Sequence, residues 1–266
     1  MAPKKNSLVF FKVYLKLLRK SERFLNHWNQ HSYPQVVTIR YFLLRGCKFK
    51  VTGSTDASRV EEYGDEEEFT RLILDEVQPG EVFYDIGASV GLVTVHAAKK
   101  GAYVVAFEPD PSFRDRLISN IELNRIENAK VIEWAVSDHE GSENLYTDGI
   151  SGKSPNFLES RQRNMIRVPV KSIDYALKLG ELAYPSIIKI DIEGAEIQAI
   201  KGMKNLFSSE KAPRCVFMEL HTDFLRAFGS SASEVENLMK SFGYYQVYEK
   251  PRRTQIHCIF RLNLSA

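Results

Sequence analysis

The sequence is poor in cysteine and has no apolar run long enough to cross a membrane. Its three cysteines are far apart and odd in number, which argues against a disulfide framework and against a zinc site. The apolar stretch at residues 8–18 is interrupted by Lys12 and Lys16, and it is shorter than the roughly 20 residues of a transmembrane helix. The small residues of a signal-peptide cleavage site do not follow it. We therefore expect a cytoplasmic protein.

A large charge of one sign is also absent, since 36 basic residues nearly balance 34 acidic ones and leave a net charge of +2. This balance indicates no particular partner. Locally, residues 4–23 carry seven basic residues against the single acid Glu22. Such a segment could rest peripherally on an anionic membrane surface. Packing on the domain or on a second subunit is the alternative that we favour, and the oligomeric state has no signature in the sequence.

The 266 residues suit one large domain with an appended segment. We divide the chain into an N-terminal extension at 1–60, with one or two short strands within 33–53, and a main domain at 61–266. Strand and helix patterns alternate in the main domain. The predicted strands are 82–86, 103–108, 131–136, 143–146 and 215–220, and the predicted helices are 65–77, 92–99 and 112–124. This alternation predicts an α/β fold with a parallel sheet between helices, and the runs around Pro251 predict a C-terminal hairpin.

A glycine turn joins the first of these strands to its helix in "VFYDIGASVG". Gly87 and Gly91 let the backbone turn sharply and approach a ligand, and the following helix offers free N–H groups. The dinucleotide fingerprint G-x-G-x-x-G is missing, because the residue two positions after Gly87 is Ser89. The pattern D-x-G-x-x-x-G, which begins at Asp85, therefore predicts a cofactor pocket other than that of a nicotinamide oxidoreductase. A tight structural turn is the alternative.

Acids and a serine follow the next two strands. Glu108 ends "YVVAFEPD", roughly 20 residues after the glycine turn, where a carboxylate can accept two hydrogen bonds from a ribose diol. Ser137 and Asp138 end "VIEWAVSD" beside the same crevice. Asp138 could accept a hydrogen bond from an adenine amino group, or it could be an ordinary turn residue.

Charged residues interrupt the apolar stretch "IIKIDIEGAEIQAIKG". Period-two alternation places Lys189, Asp191 and Glu193 on one face of a strand, so they must lie near its carboxyl end, where side chains reach the crevice. Asp191 is the candidate general base, or the acceptor that orients the substrate, with Lys189 as its partner. Glu196 falls in the first turn of the next helix, where a carboxylate is favoured by the helix dipole.

Two further candidates end the adjacent strand in "VFMELH". Glu219 and His221 could join Asp191 and Lys189 as catalytic groups, with His221 as a second base. Together with Asp191 and Glu193 they could instead bind Mg²⁺ or Mn²⁺. We do not favour a metal, since carboxylates are common at strand ends without one, and His221 could also be a plain loop residue. The other histidines have no convergent acid pattern and are expected to be structural: His27, His31, His96, His139 and His257.

Taken together, five motifs resemble the FkbM family of S-adenosylmethionine-dependent methyltransferases. They are D-x-G-x-x-x-G, "FEPD", "AVSD", "VPVKSIDYAL" and "KIDIEGAEIQAIKGM". The resemblance spans about residues 65–262. It implies a Rossmann-like seven-stranded methyltransferase sheet with helices on both faces and a reversed terminal strand. It also implies methyl transfer from S-adenosylmethionine to a hydroxyl of a sugar, a glycan or a small natural product, and it does not require a metal.

The resemblance also implies roles for single residues. Asp85, Gly87 and Ala88, with Ser89 in the same turn, would line the methionine and ribose part of the cofactor. Glu108 would hold the ribose, and Asp138, next to Ser137, would hold the adenine.

Two other functions remain as alternatives. A nucleic-acid methyltransferase would gain support from the basic amino end. However, the Asn/Asp-Pro-Pro-aromatic turn that holds a base amino group is replaced by Asp191-Ile192-Glu193-Gly194, and acids facing the substrate disfavour a phosphate backbone. A non-catalytic nucleotide-binding module would leave the acid cluster without a purpose.

Overall fold

Twelve strands and eight helices form the described part of the chain in the computed structural model, which covers residues 35–39, 45–52, 60, 67–147, 164–252 and 255–263. The strands are β1 (Gln35–Thr38), β2 (Lys48–Val51), β3 (Val82–Ile86), β4 (Tyr103–Phe107), β5 (Ala129–Ile132), β6 (Ala135–Val136), β7 (Gly141–Thr147), β8 (Asn164–Lys171), β9 (Ile187–Ile190), β10 (Cys215–His221), β11 (Tyr244–Arg252) and β12 (Gln255–Leu262). The helices are α1 (Glu67–Glu76), α2 (Leu92–Lys99), α3 (Pro111–Leu123), α4 (Ile173–Lys178), α5 (Glu196–Lys201), α6 (Lys204–Phe207), α7 (Thr222–Ala227) and α8 (Ala232–Ser241). The basic segment at 4–23 lies outside the described residues, and its predicted role stays a prediction.

A seven-stranded sheet with the order β11-β12-β10-β9-β3-β4-β5 forms the centre of the main domain. Neighbours from β10 to β5 pair in parallel. β12 pairs antiparallel with both β10 and β11, so it is the one reversed strand of this sheet. The predicted α/β fold with its C-terminal hairpin is therefore confirmed.

Apolar side chains cover both faces of this sheet, because alternate residues of each strand point to opposite sides. In β3, Tyr84 and Ile86 join one buried cluster, whereas Phe83 joins the other. All four residues of β9 are buried, as expected for a parallel strand between two layers of helices. α3 begins one residue before its predicted start, since the Asp110 side chain accepts a hydrogen bond from the Ser112 N–H at 2.7 Å and Pro111 is the first helical residue.

A separate three-stranded sheet with the order β6-β8-β7 was not predicted. The strand predicted at 131–136 is in fact divided between the two sheets, because the chain leaves the main sheet after Ile132. Trp134 then packs its ring edge-on against Phe107 at 5.1 Å between centroids. The strand predicted at 143–146 is longer, as β7. The small sheet forms one wall of the cavity described below.

Helices α7 and α8 were also not predicted. The sequence did contain a signal for α8, since Ser231 and Glu234 form the S-x-x-E pattern of a capping box. The Ser231 side chain accepts a hydrogen bond from the Glu234 N–H at 3.3 Å. None of the helices in the described ranges has the length and the apolar surface that a bilayer span needs.

The two N-terminal strands form a hairpin that packs on the main domain. Phe49 and Val51 of β2 are buried in the same cluster as Phe83 of β3. The Asn120 side chain of α3, which is fully buried, accepts a hydrogen bond from the Lys50 N–H at 2.7 Å and donates one to the Val90 carbonyl oxygen at 2.8 Å. The boundary at residue 60 stays a prediction, and the described part of the extension shares its core with the main domain.

We expect the substitution Asn120→Leu to lower the free energy of unfolding by about 1–3 kcal/mol, because it removes the side-chain partner of the partly buried Lys50 N–H and of the buried Val90 carbonyl. Urea denaturation would measure the loss. The exposed Asn205 offers a control, since Asn205→Ala should change stability by no more than about 0.5 kcal/mol. Equal stability of Asn120→Leu and the wild type would show that the hairpin does not depend on this contact.

Candidate active site

A cavity of about 800 Å³ opens at the carboxyl ends of the central strands. This volume lies within the range of small-molecule sites. Apolar walls come from α1, α3 and the small sheet, and several charged groups converge at one end. The predicted site residues that line the cavity are Gly87, Ala88, Ser89, Glu108, Ser137, Lys189, Asp191, Glu193, Glu219 and His221.

The glycine turn after β3 packs against the chain that follows β9. Gly87 has a φ of 81°, and a side-chain carbon there would lie 1.9 Å from the carbonyl oxygen of Asp191. Only glycine therefore fits this position. Ser89 also has a positive φ, of 52°, and its N–H points to Glu108. The glycine turn thus contacts both the end of β9 at Asp191 and the end of β4 at Glu108.

Glu108 lies at the end of β4, with only 7% of its surface exposed. Its two oxygens accept hydrogen bonds from the N–H groups of Ser89 at 2.8 Å and Asp110 at 3.0 Å. Burial raises the pKa of Glu108 to about 7, and these two hydrogen bonds only partly oppose the rise. A carboxylate has about four lone-pair sites, so Glu108 keeps capacity for a ligand that donates two hydrogen bonds.

Lys189 connects the glycine turn to two acids. Its Nζ donates a hydrogen bond to the Gly87 carbonyl oxygen at 2.8 Å and lies 3.1 Å from Asp85 and 3.4 Å from Asp191. Burial alone would lower the pKa of Lys189, but the two carboxylates raise it above the usual range. A charged lysine at this depth is stabilised by these three acceptors.

Asp85, which was expected to line the methionine and ribose part of the cofactor site, lies deeper than the cavity wall. Its side chain is fully buried, accepts a hydrogen bond from the Thr94 hydroxyl at 2.6 Å and faces Lys189. The residue lies beneath the cavity and is not among its lining residues. The parallel pairing of β3 and β9 sets Asp85 directly beside Lys189, so its visible role is to hold the lysine.

Asp191, Glu219 and His221 meet at the charged end of the cavity. The Nε2 atom of His221 lies 3.8 Å from an oxygen of Asp191 and 3.8 Å from an oxygen of Glu219. Its Nδ1 atom is hydrogen-bonded to Glu196 at 3.0 Å. The imidazole therefore presents one nitrogen to the cavity and the other to a buried carboxylate.

The surrounding charges shift the pKa values of His221 and Asp191. Burial alone would lower the pKa of His221, but its hydrogen bond to Glu196 and the charges of Asp191 and Glu219 raise it to about 9. Burial would raise the pKa of Asp191, yet Lys189 and His221 hold it below its usual value. At neutral pH the resting site thus contains an ionised Asp191 facing two cations.

Three side chains could hold a divalent cation. One donor atom from each of Asp191, Glu219 and His221 lies within 4.8 Å of the other two. Glu193, which the sequence placed in the same set, is not part of this group in the described residues and lies elsewhere along the cavity wall.

Ser137 and Asp138, which follow β6, lie in different surroundings. Ser137 lines the cavity, whereas Asp138 does not and instead pairs with His139 at 3.0 Å on the surface. Its position matches the alternative of a turn residue better than a contact with adenine. His139 itself lines the cavity, which its expected structural role did not include.

Two more site residues were missed by sequence analysis. Asp110 lines the cavity at the start of α3, where its capping pattern was visible but its position was not. His257, expected to lack an acid partner, lies 3.3 Å from Glu219, because the antiparallel register of β10 and β12 sets these residues side by side. That register could not be derived without the structure.

Residues 85–245 match the family model described as the methyltransferase FkbM domain, which covers more than half of the chain. The chain belongs to this family. It is an S-adenosylmethionine-dependent methyltransferase.

The similarity to individual proteins is lower in sequence identity. Hexuronic acid methyltransferase AglP of Haloferax volcanii is 26% identical over 176 residues, which are 66% of this chain and 70% of AglP. The structure of magnesium protoporphyrin IX methyltransferase from Synechocystis PCC 6803 gives a TM-score of 0.49 at 10% identity, over 80% of this chain and 86% of that one. Precorrin-6y C5,15-methyltransferase from Geobacter metallireducens gives 0.45 at 14% identity, over 74% and 88%.

The residues of the cavity fit the methyl donor of this family. Glu108 has unused lone pairs for hydroxyl donors, and the apolar side chains of Phe113, Val136 and Leu145 line the same cavity and could cover a flat base. At the other end, Asp191 and Glu219 provide negative charge for a sulfonium.

The raised pKa of Glu108 leads to a pH prediction. We propose that its carboxylate binds the donor's ribose hydroxyls, so only the ionised form binds well. With a pKa of about 7, the ionised fraction, and with it the affinity for S-adenosylhomocysteine, should rise about tenfold from pH 6 to pH 8. Isothermal titration calorimetry would measure this rise. Glu108→Gln should bind more weakly at pH 8 and without this slope, and the same slope in the variant would remove Glu108 from the ribose site.

Proposed function

We propose that this enzyme methylates a hydroxyl group of a sugar or glycan. The observation that carries the proposal is the His221 imidazole at the cavity end, with Nδ1 held by Glu196 and Nε2 turned toward Asp191. Such an imidazole suits removal of a proton from an alcohol, which is a poor nucleophile until it is deprotonated. The similarity to AglP, named for a hexuronic acid, supports a sugar acceptor, and a small natural product is the nearest alternative.

S-adenosylmethionine supplies an electrophilic methyl group, whose bond to sulfur breaks as the bond to the acceptor oxygen forms. Asp191, whose lowered pKa makes it a weak base, accepts a hydrogen bond from a neighbouring hydroxyl of the sugar and thereby orients the reacting hydroxyl toward His221. Lys189 keeps the Asp191 carboxylate in place at 3.4 Å. The Nε2 atom of His221 takes the hydroxyl proton as the new bond forms.

The charge of the donor also prepares His221 for this role. The imidazole is mostly protonated near neutral pH because its pKa is about 9. A sulfonium cation bound in the same cavity would disfavour that proton, so the pKa of His221 would be lower in the complex than in the free enzyme. A base with a pKa near the working pH is the most effective.

The charges around the cavity also favour a hydroxyl-rich acceptor over a nucleic acid. Glu143 and Glu193 line the walls in addition to the acids at the cavity end. Lys189, a buried cation that also lines the cavity, already faces three acceptors. Phosphate groups would be repelled by such a surface.

Incubation of the enzyme with S-adenosylmethionine and separate acceptors tests the proposal. The acceptors are glycans with terminal hexuronic acid, glycans with neutral sugars, small polyols and an oligonucleotide. We expect S-adenosylhomocysteine and a methyl ether with a sugar acceptor. Methyl ester formation on the uronic carboxylate, or methylation of the oligonucleotide alone, would contradict the assignment to a hydroxyl.

We expect Asp191→Asn to lower kcat by at least about 10²-fold, because the amide orients the sugar less well through its neighbouring hydroxyl and leaves Lys189 without one ionic partner. The affinity for S-adenosylhomocysteine should stay within about threefold. Asp174→Asn is a matched control that should leave kcat unchanged. The Asp174 carboxylate lies away from the cavity and caps α6 by accepting hydrogen bonds from the N–H groups of Asn205 and Leu206. A fully active Asp191→Asn enzyme would remove Asp191 from the reaction.

We expect methyl transfer without a divalent cation, because Lys189 and His221 already supply the positive charge that faces Asp191. Turnover after dialysis against EDTA should stay within about twofold of the untreated enzyme. A loss of more than about tenfold that Mg²⁺ or Mn²⁺ restores would instead place a cation at Asp191, Glu219 and His221.

A further inference from the structure

Glu196 is a completely buried carboxylate with an unusual set of partners. It is the first residue of α5, and its Oε1 atom accepts hydrogen bonds from the Gly194 N–H at 3.0 Å and from His221 Nδ1 at 3.0 Å. Its side chain has no exposed surface. Within the described residues its Oε2 atom has no hydrogen-bond partner.

Helix capping does not explain this arrangement. The position in the first turn was expected from the sequence, and a carboxylate there is stabilised only modestly by the helix dipole. However, the N–H that Glu196 binds belongs to Gly194, which precedes the helix, and not to α5 itself. Burying a carboxylate with one oxygen unpaired costs more than such a contact returns, so the burial indicates another role.

The surroundings of His221 show what that role is. Charged groups face its ring from three elements: Glu196 from α5, Asp191 after β9, and Glu219 on its own strand β10, with His257 of β12 behind Glu219. Asp191 and Glu219 are 3.8 Å away, which is too long for a hydrogen bond. The hydrogen bond to Glu196 is therefore the contact that fixes the ring.

We propose that Glu196 is a positioning residue that holds the His221 imidazole with Nδ1–H buried and the Nε2 edge turned toward the acceptor hydroxyl. This inference rests on the proposed function, in which His221 takes the hydroxyl proton. A neutral His221 then carries its proton on Nδ1 and its lone pair on Nε2. When Nε2 takes up the proton, the Glu196 carboxylate stabilises the resulting imidazolium.

The first test is the isosteric substitution Glu196→Gln. Its amide can donate to Nδ1 and thereby favour the tautomer that blocks Nε2. We expect kcat to fall by roughly 10²-fold, the lower limit of what a positioned base contributes, and KM for S-adenosylmethionine to change by less than about threefold. The pKa of His221, followed by NMR in the enzyme without ligand, should fall by at least about one unit because a carboxylate is removed.

Asp174→Asn is the control for a purely structural effect. This substitution likewise replaces a carboxylate by an amide. The Asp174 carboxylate accepts hydrogen bonds from two backbone N–H groups, and the residue lies outside the cavity. We expect it to lower stability while leaving kcat and the pKa of His221 unchanged. An equal loss of stability in Glu196→Gln, with kcat and the His221 pKa both retained, would overturn the proposal.

A second measurement uses the wild-type chain and does not depend on the variant folding. Nitrogen-15 NMR at pH 10 reports which ring nitrogen of neutral His221 carries the proton. We expect Nδ1–H, and a dominant Nε2–H form would overturn the proposal. Neither NMR measurement needs an acceptor, so a failure to methylate sugars would refute the proposed function while leaving the role of Glu196 separately testable.

Discussion

One buried ammonium group holds the active site together. Lys189 binds the carbonyl oxygen of Gly87 and faces the carboxylates of Asp85 and Asp191. These three groups belong to the glycine turn, the strand beneath it and the end of β9. A buried charge that lost any of these partners would be costly to keep, so the positions of the turn and of Asp191 depend on each other. Gly87 strengthens this coupling, because its backbone touches that of Asp191 with no room for a side chain.

The charge balance around Lys189 connects the fold to the chemistry. Four carboxylates lie in or beneath the cavity end, those of Asp85, Asp191, Glu196 and Glu219, against Lys189 and His221. An excess of negative charge at a closed cavity end favours a cationic ligand. It also keeps the resting His221 protonated. A bound sulfonium donor would balance the excess negative charge. It would also disfavour the proton on His221, so that this base becomes available when the donor is present.

Much of this arrangement could be predicted from the sequence, because it rests on local patterns. The glycines at 87 and 91, the acid at the end of β4 and the alternation in "IIKIDIEG" each reveal a position at a strand's carboxyl end. In a parallel sheet these ends share one edge. The C-terminal hairpin was similarly visible, since a breaker separates two strand-like runs.

Other features depend on strand pairing, which single patterns do not reveal. Asp85 turned out to face Lys189 beneath the cavity because β3 and β9 pair in that register. His257 meets Glu219 only through the pairing of β10 with β12. The small sheet arises where the chain leaves β5 after Ile132, and the sequence of that stretch looks like one continuous strand. Glu196 had the pattern of a helix-capping acid, and its contact with His221 depends on the fold, which brings the start of α5 beside the end of β10.

In the proposed complex, donor and acceptor meet between Glu108 and the group of Asp191 and His221. A crystal structure with S-adenosylhomocysteine is the most direct test of this placement. We expect both ribose hydroxyls within hydrogen-bond distance of the Glu108 carboxylate, and the donor sulfur directed toward the end of the cavity that holds Asp191 and His221. A ligand whose ribose lies away from Glu108, or whose sulfur points away from that end, would contradict it.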